Sequence, residues 1–244
     1  MSKILSFFYG VISYLAFFGA FLYLIGFVGN LVVPKAIDSG AESGVAQSVL
    51  INIALVSLFA VQHTIMARPG FKQWWTKIVP VQVERSTFVL VTSLLLALLY
   101  WQWRPMQGVI WSVENPTGKA ILLGLFWLGW GIGLFSSFII NHFDLFGLRQ
   151  VWLHLTNREY QHLKFQARSL YKLVRHPLML GMVIAFWATP HMTAGHLLFA
   201  SGFTVYILVG IRFEERDLVR FHGEDYVDYR QRVAMLVPFL KKRS

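Results

Sequence analysis

The chain has 244 residues, of which 56% are hydrophobic and only 14% are charged, and its formal net charge is +10. A soluble domain carries roughly a quarter charged residues, so this composition excludes an ordinary soluble protein and predicts an integral membrane protein. The sequence contains no cysteine. That absence excludes disulfides, cysteine-ligated zinc, iron–sulfur clusters and covalent catalysis by a thiol of the protein.

Long apolar runs predict several membrane spans. Residues 4–33 contain no charged residue. This run is longer than the apolar core of a secretory signal, about 7–15 residues, and therefore predicts a span that is retained. Further predicted spans lie at 46–67, 86–103, 120–140 and 178–211.

The last apolar run has 34 residues and is interrupted by "TPHMTAG". Because one span needs about 20 residues, the run predicts two helices joined by a tight turn near Pro190 and His191. We therefore predict an all-α integral membrane protein, a bundle of about six transmembrane helices (five or six) whose last two form a hairpin. Residues 1–244 would form one membrane domain, with 1–140 mainly as scaffold and 141–244 as catalytic loop, hairpin and cytoplasmic helical tail.

Positive charges concentrate in four segments. Residues 1–3, 68–85, 141–177 and 212–244 hold 19 of the 22 Lys and Arg residues. With a cytoplasmic N-terminus, six spans place all four segments in the cytoplasm, as the positive-inside rule requires. We therefore predict that both termini and the active site are cytoplasmic. Basic loops beside spans meet anionic lipid head groups, so membrane lipids, and not nucleic acid, are the expected partners of this charge.

The predicted fourth span contains Gly129 and Gly133, four residues apart on one helix face. Small residues at this spacing let another helix approach closely. The pattern therefore favours helix packing over a ligand-binding role.

Polar groups stand at both ends of the predicted hairpin. The stretch "LVRHPLMLG" contains Arg175 and His176, and "GIRFEERDL" places Glu214 and Glu215 at the end of the last span. Since both ends of a hairpin lie at the same membrane face, we expect His176 and Glu214 to meet although 38 residues separate them. Ionisable groups at the edge of the bilayer indicate function by default. The sequence thus predicts a polar pocket at this face.

Two groups of motifs resemble a known enzyme family. "RHPLMLG", followed later by "EERDLVRFHGEDYVDYRQRV", resembles the C-terminal signature of isoprenylcysteine carboxyl methyltransferase-like membrane enzymes. Upstream, "VQHTIMARPGFK" and "HFDLFGLRQ" are similar to the branch that contains NnrU-like proteins and bacterial methanethiol S-methyltransferase. The resemblance implies a methyltransferase of the bacterial inner membrane. Met179 replaces the family's Tyr and His222 interrupts its Phe-Gly pair, which weighs against a prenylated substrate.

The resemblance also implies S-adenosylmethionine as cofactor, with no metal. The carboxylates suit the ammonium or ribose hydroxyls of this molecule, and Arg175 or His176 suits its carboxylate. The resemblance implies that the paired tyrosines close the site. The residues implied to line the cofactor pocket are Tyr171, Arg175, His176, Pro177, Leu180, Gly181, Glu214, Glu215, Tyr226 and Tyr229.

The acceptor implied by the resemblance is a small thiol, with conversion of methanethiol to dimethyl sulfide as the first candidate. The nucleophile must be the thiolate, so some group must take the proton or stabilise the charge. Candidates are Arg149, His142 and Asp144 after the fourth span, and His63 near the end of the second. We expect Arg149 to supply electrostatic activation, with a His or an ordered water accepting the proton.

Three other interpretations remain open. A methyltransferase for a lipid or a protein carboxylate would share the cofactor and differ in its acceptor. A membrane haem or quinone protein would use histidines as axial ligands, although the histidines here lie near span ends. A transporter would show paired repeats and broken helices in both halves, whereas polar residues here concentrate after residue 140.

Overall fold

The computed structural model describes residues 1–161, 166–238 and 240, and this part of the chain is almost entirely helical. A 3-10 turn at Ser169–Lys172 precedes α8, and the two short strands pair with each other. The elements are α1 (Lys3–Gly29), α2 (Val45–Ala67), α3 (Pro69–Trp75), α4 (Val81–Gln102), β1 (Val109–Ser112), α5 (Pro116–Ile140), α6 (His142–Leu145), α7 (Leu148–Leu155), α8 (Pro177–Trp187), β2 (His191–Thr193), α9 (Ala194–His222) and α10 (Glu224–Arg232).

Five helices in the described part of the chain are long and apolar enough to cross a membrane, namely α1, α2, α4, α5 and α9. The predicted all-α membrane class is confirmed at this level, with the lower of the two predicted span counts. The run 178–211 does divide into two helices, but α8 has only 11 residues. At 1.5 Å per residue it measures about 16 Å, too short for a hydrocarbon core of about 30 Å. Six full-length spanning helices are therefore not present among the described residues.

The described residues group into two compact units. The first contains residues 1–110, 141–161 and 192–199, and the second contains the described residues within 111–140, 162–191 and 200–244. Residues 141–161, which the sequence analysis assigned to the C-terminal part, thus group with the first unit.

In the first unit, α1 packs against α4 and α7, and α2 packs against α4. Small residues allow the close approach of α1 and α7, because a Cβ on Gly10 would lie 2.5 Å from Cγ2 of Val151. Hydroxyl groups inside the apolar helices are satisfied within their own helix: Ser13 donates to the carbonyl of Tyr9 at 2.8 Å. In an apolar surrounding such internal bonding removes the cost of a polar side chain.

In the second unit, α5 packs closely against α8 through glycines. A Cβ on Gly181 would lie 2.5 Å from the carbonyl oxygen of Gly129 and 2.6 Å from the amide nitrogen of Gly133. The helix packing predicted from Gly129 and Gly133 is therefore confirmed. At the other end of α8, the indole of Trp187 donates to the hydroxyl of Thr204 on α9 at 2.9 Å.

The contact between α5 and α8 leads to a stability prediction. Gly181→Ala should lower the thermal stability of the protein in detergent by about 1–3 kcal/mol, because the new methyl group would meet backbone atoms that cannot rotate away. Gly131→Ala is the matched control on α5, where a Cβ meets no described atom within 4 Å. That variant should be neutral or slightly stabilising, since alanine favours a helix. Equal melting temperatures for the two variants would contradict this packing.

Candidate active site

A buried ionic cluster lies where α8 begins. The carboxylate of Glu215 accepts hydrogen bonds from Nε of Arg175 at 2.6 Å and faces Nε2 of His176 at 3.0 Å. His176 is 5% exposed and Glu215 is 9% exposed. Buried charges are stable only when they are paired and hydrogen-bonded, so the three side chains hold each other in place.

Glu214 differs from its neighbour in accessibility. Its carboxylate lies 3.6 Å from Nδ1 of His176, and its side chain is 42% exposed. Successive residues on a helix point about 100° apart, so the two glutamates take different environments. The predicted meeting of His176 with the glutamate pair is confirmed, and it leaves one carboxylate enclosed and one accessible.

The tyrosines attach the C-terminal residues to this region. The hydroxyl of Tyr229 donates to the carbonyl of Tyr171 at 2.6 Å, and the rings of Tyr226 and Tyr229 lie 5.7 Å apart. Burial raises the pKa of Tyr229 to about 12, although the nearby Arg175 opposes this shift. Burial also raises the pKa of Tyr171 and of Tyr226. All three phenols are therefore neutral near pH 7.

The other residues predicted for the cofactor pocket follow along α8. Pro177 is the first residue of the helix and is buried, Leu180 is partly buried, and Gly181 packs against α5. Proline suits a helix start because its missing N–H would have no partner there. The contacts described for Gly181 are helix-packing contacts, and a cofactor-binding role for these three residues stays a prediction.

The residues predicted for catalysis lie in the first unit, and two of them form an ion pair. Nη1 of Arg149 donates to Oδ1 of Asp144 at 2.8 Å and to the carbonyl of Gln161 at 3.2 Å. The hydroxyl of Tyr160 donates to the other oxygen of Asp144 at 3.3 Å, and the guanidinium lies 5.1 Å from the Tyr160 ring centre. Both oxygens of the carboxylate are thus engaged by side chains from the following 16 residues.

His142 is buried beside this pair in sequence and contacts α1. Its Nε2 lies 2.9 Å from the hydroxyl of Tyr14, and its ring packs edge-on against Phe146. Burial lowers the pKa of His142 below its ordinary value of 6.5. The imidazole is therefore neutral at neutral pH, the form that accepts a proton.

His63 occupies a different environment, between α2 and α4. Its Nδ1 lies 3.4 Å from the hydroxyl of Thr92, and its ring stacks on Phe59 and contacts Phe88. Phe88 in turn lies 4.8 Å below the guanidinium of Arg85, which donates to the carbonyl of Leu145 at 2.6 Å. The described contacts therefore connect His63 with residues 142–149 only through intermediate side chains.

A comparison with known proteins identifies the family. A family model described as NnrU protein matches residues 51–238. The chain belongs to the NnrU protein family. This confirms the relation to NnrU-like proteins predicted from the motifs.

Several curated proteins are similar to this NnrU-family chain. Methanethiol S-methyltransferase of Mycobacterium tuberculosis is 56% identical and covers 98% of both chains. Methanethiol S-methyltransferase 2 of Bradyrhizobium diazoefficiens is 52% identical, covering 97% of this chain and 92% of the relative. Nurim of Mus musculus is 29% identical over 72% of this chain and 70% of its own. No solved structure matches.

Sequence reasoning missed the residues that hold the catalytic candidates of this NnrU-family protein. Tyr14 contacts His142, Tyr160 contacts Asp144, and the amide of Gln150 donates to the carbonyl of Asp144 at 3.1 Å. Nothing in the sequence around these residues indicates such partners, because each pairing depends on how α1 and the loop after α7 fold back.

The burial of His142 predicts a pH effect on stability. The unfolded chain binds a proton at this position more readily than the folded one, so folding should weaken as the pH falls below about 6.5. His142→Gln keeps a hydrogen-bond acceptor for Tyr14 and lacks the titration, so its melting temperature should fall less between about pH 8 and about pH 5. Thermal melts of the two proteins across this range test the point. Parallel curves would show that His142 does not titrate with folding.

Proposed function

We propose that this chain is an integral membrane methyltransferase that transfers a methyl group from S-adenosylmethionine to methanethiol, giving dimethyl sulfide. One observation carries the proposal: relatives named methanethiol S-methyltransferase share 52–56% identity with 97–98% of the chain. Similarity of this extent spans both units and every candidate residue. It therefore supports the same reaction class in this protein.

The chemistry of the cluster at α8 fits the methyl donor. When bound, S-adenosylmethionine supplies an activated methyl group on a positively charged sulfonium. The accessible carboxylate of Glu214 suits its ammonium group or ribose hydroxyls, and the faces of Tyr171, Tyr226 and Tyr229 suit a cation. Their raised pKa values keep these rings uncharged. The second unit is thus assigned the donor.

The acceptor is assigned to residues 141–149. Methanethiol must lose its proton before its sulfur attacks, and neutral His142 can take that proton while Arg149 stabilises the thiolate. An open groove of about 470 Å³ adjoins Arg149 and is lined mainly by apolar side chains, including Phe7, Leu148 and Trp152. Such a surface suits a small apolar thiol. Methyl transfer then joins the thiolate sulfur to the methyl carbon as the bond from that carbon to the donor sulfur breaks.

The membrane topology follows from the short helix. His176 contacts Glu215 and Trp187 contacts Thr204, so α8 and α9 are related by equal separations of 11 residues in opposite directions. An antiparallel pair of this kind, completed by residues 188–193, returns the chain to the face where α8 begins. Both termini and the donor cluster then lie in the cytoplasm, where 19 of 22 basic residues would face anionic lipids.

The absence of cysteine makes the topology directly testable. Ala41→Cys lies in the loop between α1 and α2, and Lys172→Cys lies before α8, both at exposed positions. In intact cells a membrane-impermeant maleimide should label Ala41→Cys and should label Lys172→Cys only after permeabilisation. Labelling of Lys172→Cys in intact cells would overturn the proposed orientation.

The reaction is tested with purified protein, methyl-labelled S-adenosylmethionine and methanethiol. Labelled dimethyl sulfide should appear in the headspace, and Glu214→Gln should reduce it at least tenfold through loss of a charge-assisted contact. Glu159→Gln removes an exposed carboxylate elsewhere and should retain activity. A protein that binds the donor but methylates no thiol would leave a lipid or a protein carboxylate as the acceptor.

A further inference from the structure

The donors of Arg175 are directed at acceptors within the protein. Nε bonds Glu215 at 2.6 Å, and Nη1 bonds the carbonyls of Arg230 at 3.1 Å and Val233 at 2.5 Å. The side chain is only 9% exposed. One guanidinium therefore joins α9, the C-terminal end of α10 and the residue that follows it. A cation at the C-terminus of a helix also satisfies carbonyls that lack an intrahelical partner.

Backbone bonds attach the same C-terminal residues to the segment before α8. We name residues 224–237 the C-terminal strap. Val174 and Ala234 form a parallel bridge, the amide of Arg175 donates to the carbonyl of Ala234 at 2.9 Å, and the amide of His176 donates to that of Met235 at 3.2 Å. The strap therefore lies along the residues that carry the ionic cluster.

We propose that Arg175 and Glu215 are positioning residues that latch the C-terminal strap and orient His176, and that Glu214 is the carboxylate that contacts the methyl donor. The proposal rests on the proposed function for the identity of that donor. It assigns different roles to two adjacent glutamates and to an arginine that the sequence alone associates with the cofactor's carboxylate.

Two physical arguments support this division. Glu215 already accepts from Arg175 and faces His176, so a ligand could bind it only by displacing a buried partner, which is costly. The carboxylate of Glu214 lies 3.6 Å from His176, beyond hydrogen-bond distance, and its side chain is 42% exposed. A ligand can therefore reach Glu214 without disturbing the latch.

The first test compares binding with strap dynamics in the purified full-length protein. Binding of S-adenosylhomocysteine is measured by calorimetry, and amide hydrogen exchange is measured over residues 224–237. Arg175→Ala and Glu215→Gln should both accelerate exchange in the strap and weaken binding about tenfold. Glu214→Gln should weaken binding at least as much while exchange in the free protein stays unchanged. Lys172→Ala, an exposed cation nearby, should change neither quantity.

The second test replaces the latch with a covalent link. Val174→Cys and Ala234→Cys stand at paired bridge positions in a chain without other cysteines, and bridge partners lie within disulfide reach. In the Arg175→Ala background, the oxidised pair should restore slow exchange and bring the dissociation constant back to within about threefold of the original. Reduction should abolish both effects. If oxidation restores slow exchange but not binding, Arg175 contacts the ligand directly and the proposal fails.

Steady-state constants separate positioning from general loss of structure. Arg175→Lys keeps the charge but loses the planar fork that bonds several acceptors, and it also serves if Arg175→Ala does not fold. It should raise the KM for the donor and leave the KM for methanethiol unchanged; equal rises in both would contradict the latch. Binding and exchange require no thiol, so a protein that passes those tests but methylates no methanethiol loses only its proposed acceptor. Unaltered binding in Glu214→Gln would overturn the role of that carboxylate.

Discussion

The buried carboxylate of Glu215 is the constraint on which the second unit depends, because it lies on a helix that is otherwise apolar for most of its length. Such a charge is tolerated only with close partners, and Arg175 and His176 supply them from just before α8. Pairing this carboxylate therefore fixes where α8 starts beside α9. The hydrogen bond between Trp187 and Thr204 follows the same register one helix length away.

The position of α8 then determines how closely its neighbours approach. With α8 held at one end by the ionic cluster, Gly181 lies against Gly129 and Gly133 of α5 with backbone atoms in contact. Close packing of this kind resists displacement, so the polar cluster rests on a rigid apolar support. In the first unit, Gly147 has a similar effect: its φ of +89° and its contact with Ser86 leave no room for a side chain, which holds the turn before Arg149 against α4.

Hydropathy and spacing predicted the features that depend on one dimension of the chain. The five long helices, the packing of Gly129 and Gly133, and the meeting of His176 with the glutamate pair all follow from run length, residue size and the return of the chain to one face. The pairing of Tyr14 with His142 was not predictable, because it depends on the rotation of α1 about its axis. The same applies to the strap, whose bonds to the start of α8 use backbone groups and carry no residue signature.

The adjacent pair Glu214 and Glu215 shows why the rotation of a helix matters for function. Side chains of neighbouring helical residues diverge by about 100°, so Arg175 can enclose only one of the two carboxylates. Enclosing one fixes the orientation of His176 between them, and the other is left at the surface beside a ring nitrogen. Two like charges side by side oppose each other, and the cation of Arg175 offsets that repulsion only on the enclosed side. The exposed carboxylate therefore keeps an unmet preference for a cation, which the ammonium or sulfonium group of a methyl donor would satisfy.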